Sequence, residues 1–141
     1  MTRPATLSSA AERIAQGVAR EVALSEFLDN FYGASDESRL AMLDDEPPFV
    51  GDARTDALMG AICEYLAKQF CLPRIPRWAG DKRRVLAEPW FTISDGNEND
   101  AMCEYLAVVS PGEFRNHNIF TEAMPLRRAR DPRGRSTADA G

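Results

Sequence analysis

Apolar side chains in the first fifty residues recur at spacings of three, four and seven, which is the pattern of amphipathic helices. The first helix is predicted to begin at Ser8, because serine is favoured at the N-cap. A second helix is predicted to restart near Ser25 and to end at Gly33, and a third must end before Pro47. The apolar positions that carry this pattern are Leu7, Ile14, Val18, Val22, Phe27, Leu28, Phe31, Leu40 and Leu43.

Almost the same seven residues occur twice along the chain. Ala61–Ala67 reads Ala-Ile-Cys-Glu-Tyr-Leu-Ala, and Ala101–Ala107 differs from it by a methionine in the second position. A similar entry of proline and aromatic residues precedes each copy, Glu46–Phe49 and Glu88–Phe91. The repetition favours a structural pseudo-repeat, although the units differ in length and two copies are too few for a solenoid. The two units span about residues 46–70 and 88–109.

Both copies predict amphipathic helices. The helix of the first copy is predicted over about residues 52–70, with Glu64 and Lys68 as an exposed i,i+4 pair. The helix of the second copy follows the turn-forming residues 95–97 and repeats the apolar stripe of the first with Met102, Tyr105, Leu106 and Val109. A further helical turn is predicted after Ser110, which begins a capping-box sequence with proline at the first helical position.

The chain is therefore predicted to be mainly α: a single compact helical domain with a helical pseudo-repeat and a disordered basic C-terminal tail. A length of 141 residues fits one domain. Sequence with strand propensity is confined to segments too short to build a sheet, namely residues 91–93, 108–109 and 118–120. The predicted organisation is a flexible N-terminus over residues 1–7, a helical domain over residues 8–126 and an arginine-rich flexible tail over residues 127–141.

The charge balance makes nucleic acid an unfavourable partner for most of the chain. The net charge is −5, and residues 1–72 hold 6 basic against 12 acidic residues, whereas residues 73–141 hold 11 against 10. Binding to nucleic acid is driven by neutralisation of phosphates, which an acidic surface opposes. The arginines of the tail are either solvated or an anchor for an acidic partner or RNA.

Cysteine usage and hydropathy predict a cytoplasmic protein. Cys63, Cys71 and Cys103 are an odd number without a short-range pair, which favours buried free thiols in a reducing compartment. No segment has the roughly 20 apolar residues of a membrane span. The N-terminal residues also lack the basic start and apolar core of a signal peptide.

No arrangement of residues predicts a catalytic or metal centre. The cysteine spacings match no zinc motif, and the neighbours of His117, the single histidine, suit a surface turn better than a pocket. Glu64 and Glu104 hold equivalent positions in the two copies, either as paired carboxylates or, as we prefer, as two exposed helix-face glutamates. We therefore expect no cofactor, no metal and no enzymatic activity; catalysis by His117 with Glu104 is the weaker alternative.

Aromatic and arginine residues in the C-terminal half predict a protein-binding surface. Tryptophan, tyrosine and arginine are the residue types enriched at interface hot spots. The predicted partner-binding residues are Trp78, Trp90, Phe91, Phe114, Arg115, Phe120, Arg127 and Arg128.

A series of motifs runs through residues 10–130. They lie at Glu26–Tyr32, Glu46–Pro48, Gly51–Ala57, Ala61–Ala67, Pro76–Trp78, Leu86–Phe91, Ser110–Phe120 and Leu126–Ala129. The most specific of them is Ser110–Phe120, which reads Ser-Pro-x-x-Phe-Arg-x-x-Asn-Ile-Phe. In their order these motifs resemble a family of small actinobacterial proteins that are encoded beside predicted nucleotidyltransferase-fold genes.

The resemblance implies a toxin–antitoxin pair in which this protein is the antitoxin. It would be a non-enzymatic protein-binding module that neutralises a nucleotidyltransferase-like toxin by direct binding. The alternative is a DNA-binding transcriptional regulator, since residues 14–19 weakly resemble a helix-turn-helix and some relatives carry such an extension. Against that alternative, the following helix carries Glu21, Glu26 and Asp29, which would face phosphates.

Overall fold

The computed structural model describes residues 6–92 and 99–128, most of which are helical. The predicted mainly α fold is confirmed. The domain comprises two compact units: the first contains the described residues up to Val50 and from Leu126 onward, and the second contains Gly51–Pro125. The predicted turn at residues 95–97 lies outside the described residues, as do most of the predicted flexible termini.

The first unit contains three helices. They are α1 (Leu7–Ala15), α2 (Arg20–Tyr32) and α3 (Asp36–Asp44), and α1 packs against the other two. α1 begins earlier than predicted because its N-cap is Thr6 and not Ser8. The Thr6 hydroxyl oxygen accepts a hydrogen bond from the Ser9 amide at 3.0 Å, which satisfies one of the free amides of the first turn.

A tight turn joins α1 to α2 and explains why α2 starts before Ser25. Gly17 has a φ of +105°, and the Val18 amide donates to the Arg13 carbonyl at 3.0 Å, as in a Schellman motif. Glycine suits this position because a side chain is strained at such a φ. The chain can therefore turn within four residues and begin α2 at Arg20.

The residues that follow Leu126 are tied to the first unit. The Tyr32 hydroxyl donates to the Leu126 carbonyl at 2.7 Å, and the Arg128 guanidinium donates to both carboxylate oxygens of Asp29 at 3.0 and 3.1 Å. These hydrogen bonds to Asp29 raise the pKa of Arg128. Arg128, which the sequence placed in the flexible tail, is thus held by a specific ion pair.

The second unit is built on its longest helix, α4 (Ala53–Gln69). α4 begins at the N-cap Asp52, whose carboxylate accepts hydrogen bonds from the amide and the hydroxyl of Thr55 at 3.3 and 2.6 Å. It ends in a Schellman motif in which Cys71 has a φ of +52° and the Leu72 amide donates to the Ala67 carbonyl. Cys71 is exposed, in contrast to the expected buried thiol, whereas Cys63 is buried.

Short elements complete the second unit. After α4 come two 3₁₀ turns (Arg77–Gly80 and Lys82–Arg84), β1 (Trp90–Phe91), α5 (Asp100–Val109), α6 (Gly112–Arg115) and β2 (Ile119–Phe120). β1 and β2 pair in parallel, with Trp90 opposite Ile119 and Phe91 opposite Phe120. Two of the three segments with strand propensity therefore pair, whereas Val108 and Val109 are helical. α4 packs against α6 and both 3₁₀ turns.

Side-chain hydrogen bonds hold α5 at its two ends. The Asn99 side-chain oxygen accepts a hydrogen bond from the Met102 amide at 2.8 Å. At the other end, the Ser110 hydroxyl donates to the Leu106 carbonyl at 2.5 Å and accepts from the Thr121 amide at 2.7 Å. Because Ser110 is engaged in this way, it does not form the predicted capping box, and Pro111 is the N-cap residue of α6.

Candidate functional site

A histidine–carboxylate pair joins the segment after α6 to α4, with a buried histidine and a half-buried carboxylate. His117 Nε2 lies 2.6 Å from a carboxylate oxygen of Glu64, and His117 Nδ1 lies 2.5 Å from the Arg84 carbonyl. A carbonyl oxygen can only accept, so Nδ1 carries a hydrogen and donates it to Arg84. Nε2 is then in hydrogen-bond contact with the Glu64 carboxyl group.

This pair corrects two sequence-based predictions. His117 is 1% exposed instead of lying in a surface turn, and only 18% of the Glu64 side chain is exposed. Glu64 does not pair with Lys68, which contacts Glu113 at 3.4 Å instead. The buried environment requires both partners, because an unpaired imidazole or carboxylate would be costly inside the protein.

A glycine in α4 makes room for the imidazole. A Cβ atom at Gly60 would lie 2.6 Å from His117 Cε1 and 2.9 Å from the Ala79 carbonyl oxygen. Real Cβ atoms do not approach other atoms so closely, so the close packing of His117 and the first 3₁₀ turn on α4 depends on this glycine. A glycine in the middle of a long amphipathic helix is the one sequence signal that indicates such a close approach.

A buried arginine continues the cluster. Arg84 is fully buried; its guanidinium lies 5.0 Å from the ring centroid of Trp78 and donates to the Asp56 carbonyl at 3.1 Å. Trp78, predicted to bind a partner, is half-buried in this contact. The cluster therefore connects α4, the 3₁₀ turns and the segment after α6.

The histidine cluster has the geometry of a structural contact. Both nitrogens of His117 have oxygen partners, and the ring is almost inaccessible, so a substrate could reach neither nitrogen without displacing one of them. Among residues 6–92 and 99–128, no group of three or more His, Cys, Asp or Glu side chains could hold a metal ion.

Removing the carboxylate tests the structural role of this pair. We expect Glu64→Ala to lower the free energy of unfolding by about 1–3 kcal/mol, because the buried His117 Nε2 loses its partner. Glu104→Ala is the matched control, since Glu104 holds the same position in the second copy and is exposed; we expect it to change stability by less than about 0.5 kcal/mol. Equal losses in urea unfolding would contradict the assignment.

Phe114 belongs to the core of the second unit. It is 1% exposed, and its ring packs edge-on against Tyr65 with centroids 5.5 Å apart. The sequence placed Phe114 among the partner-binding residues, but in this fold its ring faces α4. The aromatic side chain had to be buried because α6 is a single short helix with few other apolar residues to anchor it.

The pairing of β1 and β2 brings three other predicted residues together. Phe91 stacks on Phe120 with ring centroids 4.9 Å apart, and Trp90 lies in β1 with the Arg54 guanidinium 5.0 Å from its ring centroid. All three aromatic side chains are half-buried. They form a small aromatic contact, not a broad exposed surface.

The predicted arginines are distributed over both units. Arg115 is exposed at the end of α6 in the second unit, and Arg127 is exposed in the first. Arg128 is bound to Asp29. The eight predicted residues therefore do not form one continuous site within either unit.

The second copy of the heptad forms a surface that the sequence did not predict. In α5, Met102, Tyr105 and Val108 are 39%, 56% and 78% exposed, whereas Leu106 is buried. The three exposed side chains are spaced by three residues and form one stripe. Asp100 and Glu104, four residues apart and both exposed, flank it. These five residues are hereafter called the α5 face.

The two copies differ in what covers them. Tyr65 in α4 is 5% exposed, whereas its counterpart Tyr105 in α5 is 56% exposed. The reason is tertiary: α4 packs against α6 and the two 3₁₀ turns, whereas α5 contacts β2. The predicted stripe of Met102, Tyr105, Leu106 and Val109 is thus divided, with Leu106 turned inward and the others more exposed.

No family model, curated protein or solved structure matches this chain. Within the described residues, no helix has the length and apolar character needed to cross a membrane.

Proposed function

We propose that this chain is a protein-binding module that contacts its partner through the α5 face. The observation that carries the proposal is the exposure of Met102, Tyr105 and Val108 as one stripe on a single helix. Adjacent large apolar side chains that remain in water are typical of interaction sites. Tyrosine and methionine are also enriched at interfaces between proteins.

The charges of the α5 face favour a protein over a membrane or a nucleic acid. Between its ends at residues 100 and 109, α5 contains Asp100 and Glu104 and no lysine or arginine. Helices that lie on membranes carry basic residues on their polar face, because most membrane surfaces are negative. Phosphates of DNA or RNA would be repelled in the same way.

The nature of the partner follows from the family resemblance of the sequence. We propose that it is the nucleotidyltransferase-like protein encoded beside this one and that binding blocks its nucleotide or substrate cleft. In this proposal the chain is a cytoplasmic, non-enzymatic antitoxin. Support comes from the motif order and from the exposed apolar stripe, which a partner of this kind would cover.

The DNA-binding alternative gains no support from α1 and α2. The turn at Gly17 would suit a helix-turn-helix, but Glu21 is exposed on α2, Glu26 pairs with Arg13 and Asp29 pairs with Arg128. A recognition helix with this charge pattern would oppose the phosphates that it has to approach.

Co-expression with the adjacent gene product tests the proposed function. We expect the two proteins to purify together, and light scattering of the purified material should give the mass of a stable hetero-complex. We also expect this chain to restore growth of cells that express the partner. The Glu104→Ala and Glu64→Ala proteins should be compared in the same assay. Glu104 lies in the α5 face, so its replacement reports loss of binding, whereas replacement of Glu64 reports loss of folding. A chain that stays alone and does not restore growth would refute the proposal.

A further inference from the structure

The cover of α4 within this chain provides a template for what binds α5. The two helices share six of seven residues in Ala61–Ala67 and Ala101–Ala107. In α4 this sequence is covered by residues of the same chain, whereas in α5 the equivalents of Glu64 and Tyr65 are exposed. The contacts made on α4 therefore indicate which groups such a helical surface accepts.

Two residues, one turn apart, cover the α4 heptad. Phe114 places its ring edge-on against Tyr65, and His117 places Nε2 on Glu64 at 2.6 Å. The α5 equivalents of Tyr65 and Glu64 are Tyr105 and Glu104. An element with an aromatic residue and a positively charged or hydrogen-donating residue about three positions later could thus satisfy both.

Two differences between the helices specify the occupant further. The position of Gly60, which leaves space for the imidazole, is occupied in α5 by Asp100, and the position of Lys68 is occupied by Val108. Compared with the site on α4, the site on α5 therefore has less space and more negative charge at the Asp100 end. At the Val108 end it is more apolar. A side chain with a longer cationic group than histidine fits between Asp100 and Glu104. In α4, Lys68 pairs with Glu113; at the equivalent position of α5, Val108 instead suits an apolar side chain.

We infer that the α5 face binds a basic, amphipathic element of the partner, with an aliphatic side chain on Val108, an aromatic ring on Tyr105 and a lysine or arginine between Asp100 and Glu104. This inference deepens the proposed function and rests on it. Asp100 and Glu104 are both exposed on α5, so their negative charges are accessible to a basic group of the partner.

A second copy of this chain is a poorer occupant of the α5 face. Its own Phe114 and His117 are each 1% exposed on α4, so they are not available to a neighbouring molecule unless α6 detaches. Direct pairing of two α5 helices would bring acidic side chains together without a cation between them, which costs binding energy.

The test measures the affinity of full-length variants for the adjacent gene product by titration calorimetry. We expect Tyr105→Ala and Val108→Lys each to weaken binding by about tenfold or more, as truncation of a hot spot does. Val108→Lys introduces the residue that α4 has at the equivalent position, and it places a charge at an exposed site. The matched control is Val22→Lys, at an exposed valine of α2, which we expect to bind like the unmodified chain.

Charge neutralisation provides the second arm of the test. The double variant Asp100→Asn, Glu104→Gln should bind more weakly at low salt, and the difference should shrink at high salt because the ion pairs are screened. Thermal unfolding of each variant should show at most a small loss of stability, since these side chains are exposed. A salt-independent difference would overturn the assignment of a basic partner group.

The outcomes separate this inference from the proposed function. If the hetero-complex forms and all α5 variants bind normally, the proposed antitoxin role stands, but the α5 face is not the contact surface and the inference about its occupant is wrong. If the unmodified chain forms no complex, both are wrong. A homodimer in light scattering that Val108→Lys dissociates would show that a second copy occupies the α5 face, which also overturns the inference.

Discussion

Tyr65→Ala should destabilise the protein far more than Tyr105→Ala, although both replace the same residue within almost the same heptad. Tyr65 is 5% exposed and packs against Phe114, so its removal loses buried apolar contacts and leaves a cavity. We expect the free energy of unfolding to fall by about 3–5 kcal/mol, as for other large aromatic side chains replaced in cores. Tyr105 is 56% exposed, and its replacement should cost less than about 1 kcal/mol.

Urea unfolding followed by tryptophan fluorescence would measure both changes in one series. Trp78 and Trp90 lie in the same unit as the two tyrosines and report on its unfolding. The midpoint should shift strongly for Tyr65→Ala while the slope with urea stays similar, which indicates a change in stability and not in the extent of unfolding. Equal midpoints for the two variants would contradict the difference in burial between Tyr65 and Tyr105.

Gly60→Ala should destabilise the second unit despite the higher helix propensity of alanine. In an open helix position the exchange would gain about 1 kcal/mol. Here the added methyl group would lie 2.6 Å from His117 Cε1 and 2.9 Å from the Ala79 carbonyl, and the carbonyl belongs to the backbone. We expect a net loss of about 2–4 kcal/mol, from overpacking together with displacement of His117 from Glu64 and Arg84.

Gly80→Ala is the matched control for this exchange. No atom lies within 4 Å of a Cβ placed at Gly80. Stability should therefore remain unchanged or rise slightly, because alanine restricts the unfolded chain more than glycine does. Thermal denaturation of the two variants, with the chemical shifts of the His117 ring as a second reading, would check the result. A Gly60→Ala protein as stable as the unmodified chain would mean that His117 can move away without cost.

Much of the helical architecture could be predicted from the sequence because helix periodicity and end signals are local. Gly33, Pro47 and the predicted end of a helix near residue 70 place helix ends correctly to within a few residues. The predictions failed where two local signals competed. Thr6 and Ser8 are both suitable N-caps, and the choice between them depends on which hydroxyl reaches a free amide.

The burial of the repeated heptad and of His117 could not be predicted in the same way. The heptads in α4 and α5 differ at one position and have the same periodicity, so the heptad itself does not distinguish the buried Tyr65 from the exposed Tyr105. The difference is created by α6 and the 3₁₀ turns, which pack on one helix and not the other. The surroundings of His117 likewise come from Arg84 and Glu64, which lie 33 and 53 residues away in sequence.

The shallow attachment of α5 has a consequence for its motions. Leu106 is the one buried residue of this ten-residue helix, and helices of that length are only marginally stable in water without tertiary contacts. Transient unwinding of α5 should therefore require less free energy than unwinding of α4, and its backbone amides should exchange hydrogen for deuterium earlier. A protein that covers the α5 face would stabilise the helical state as it binds, so α5 would become ordered in step with complex formation.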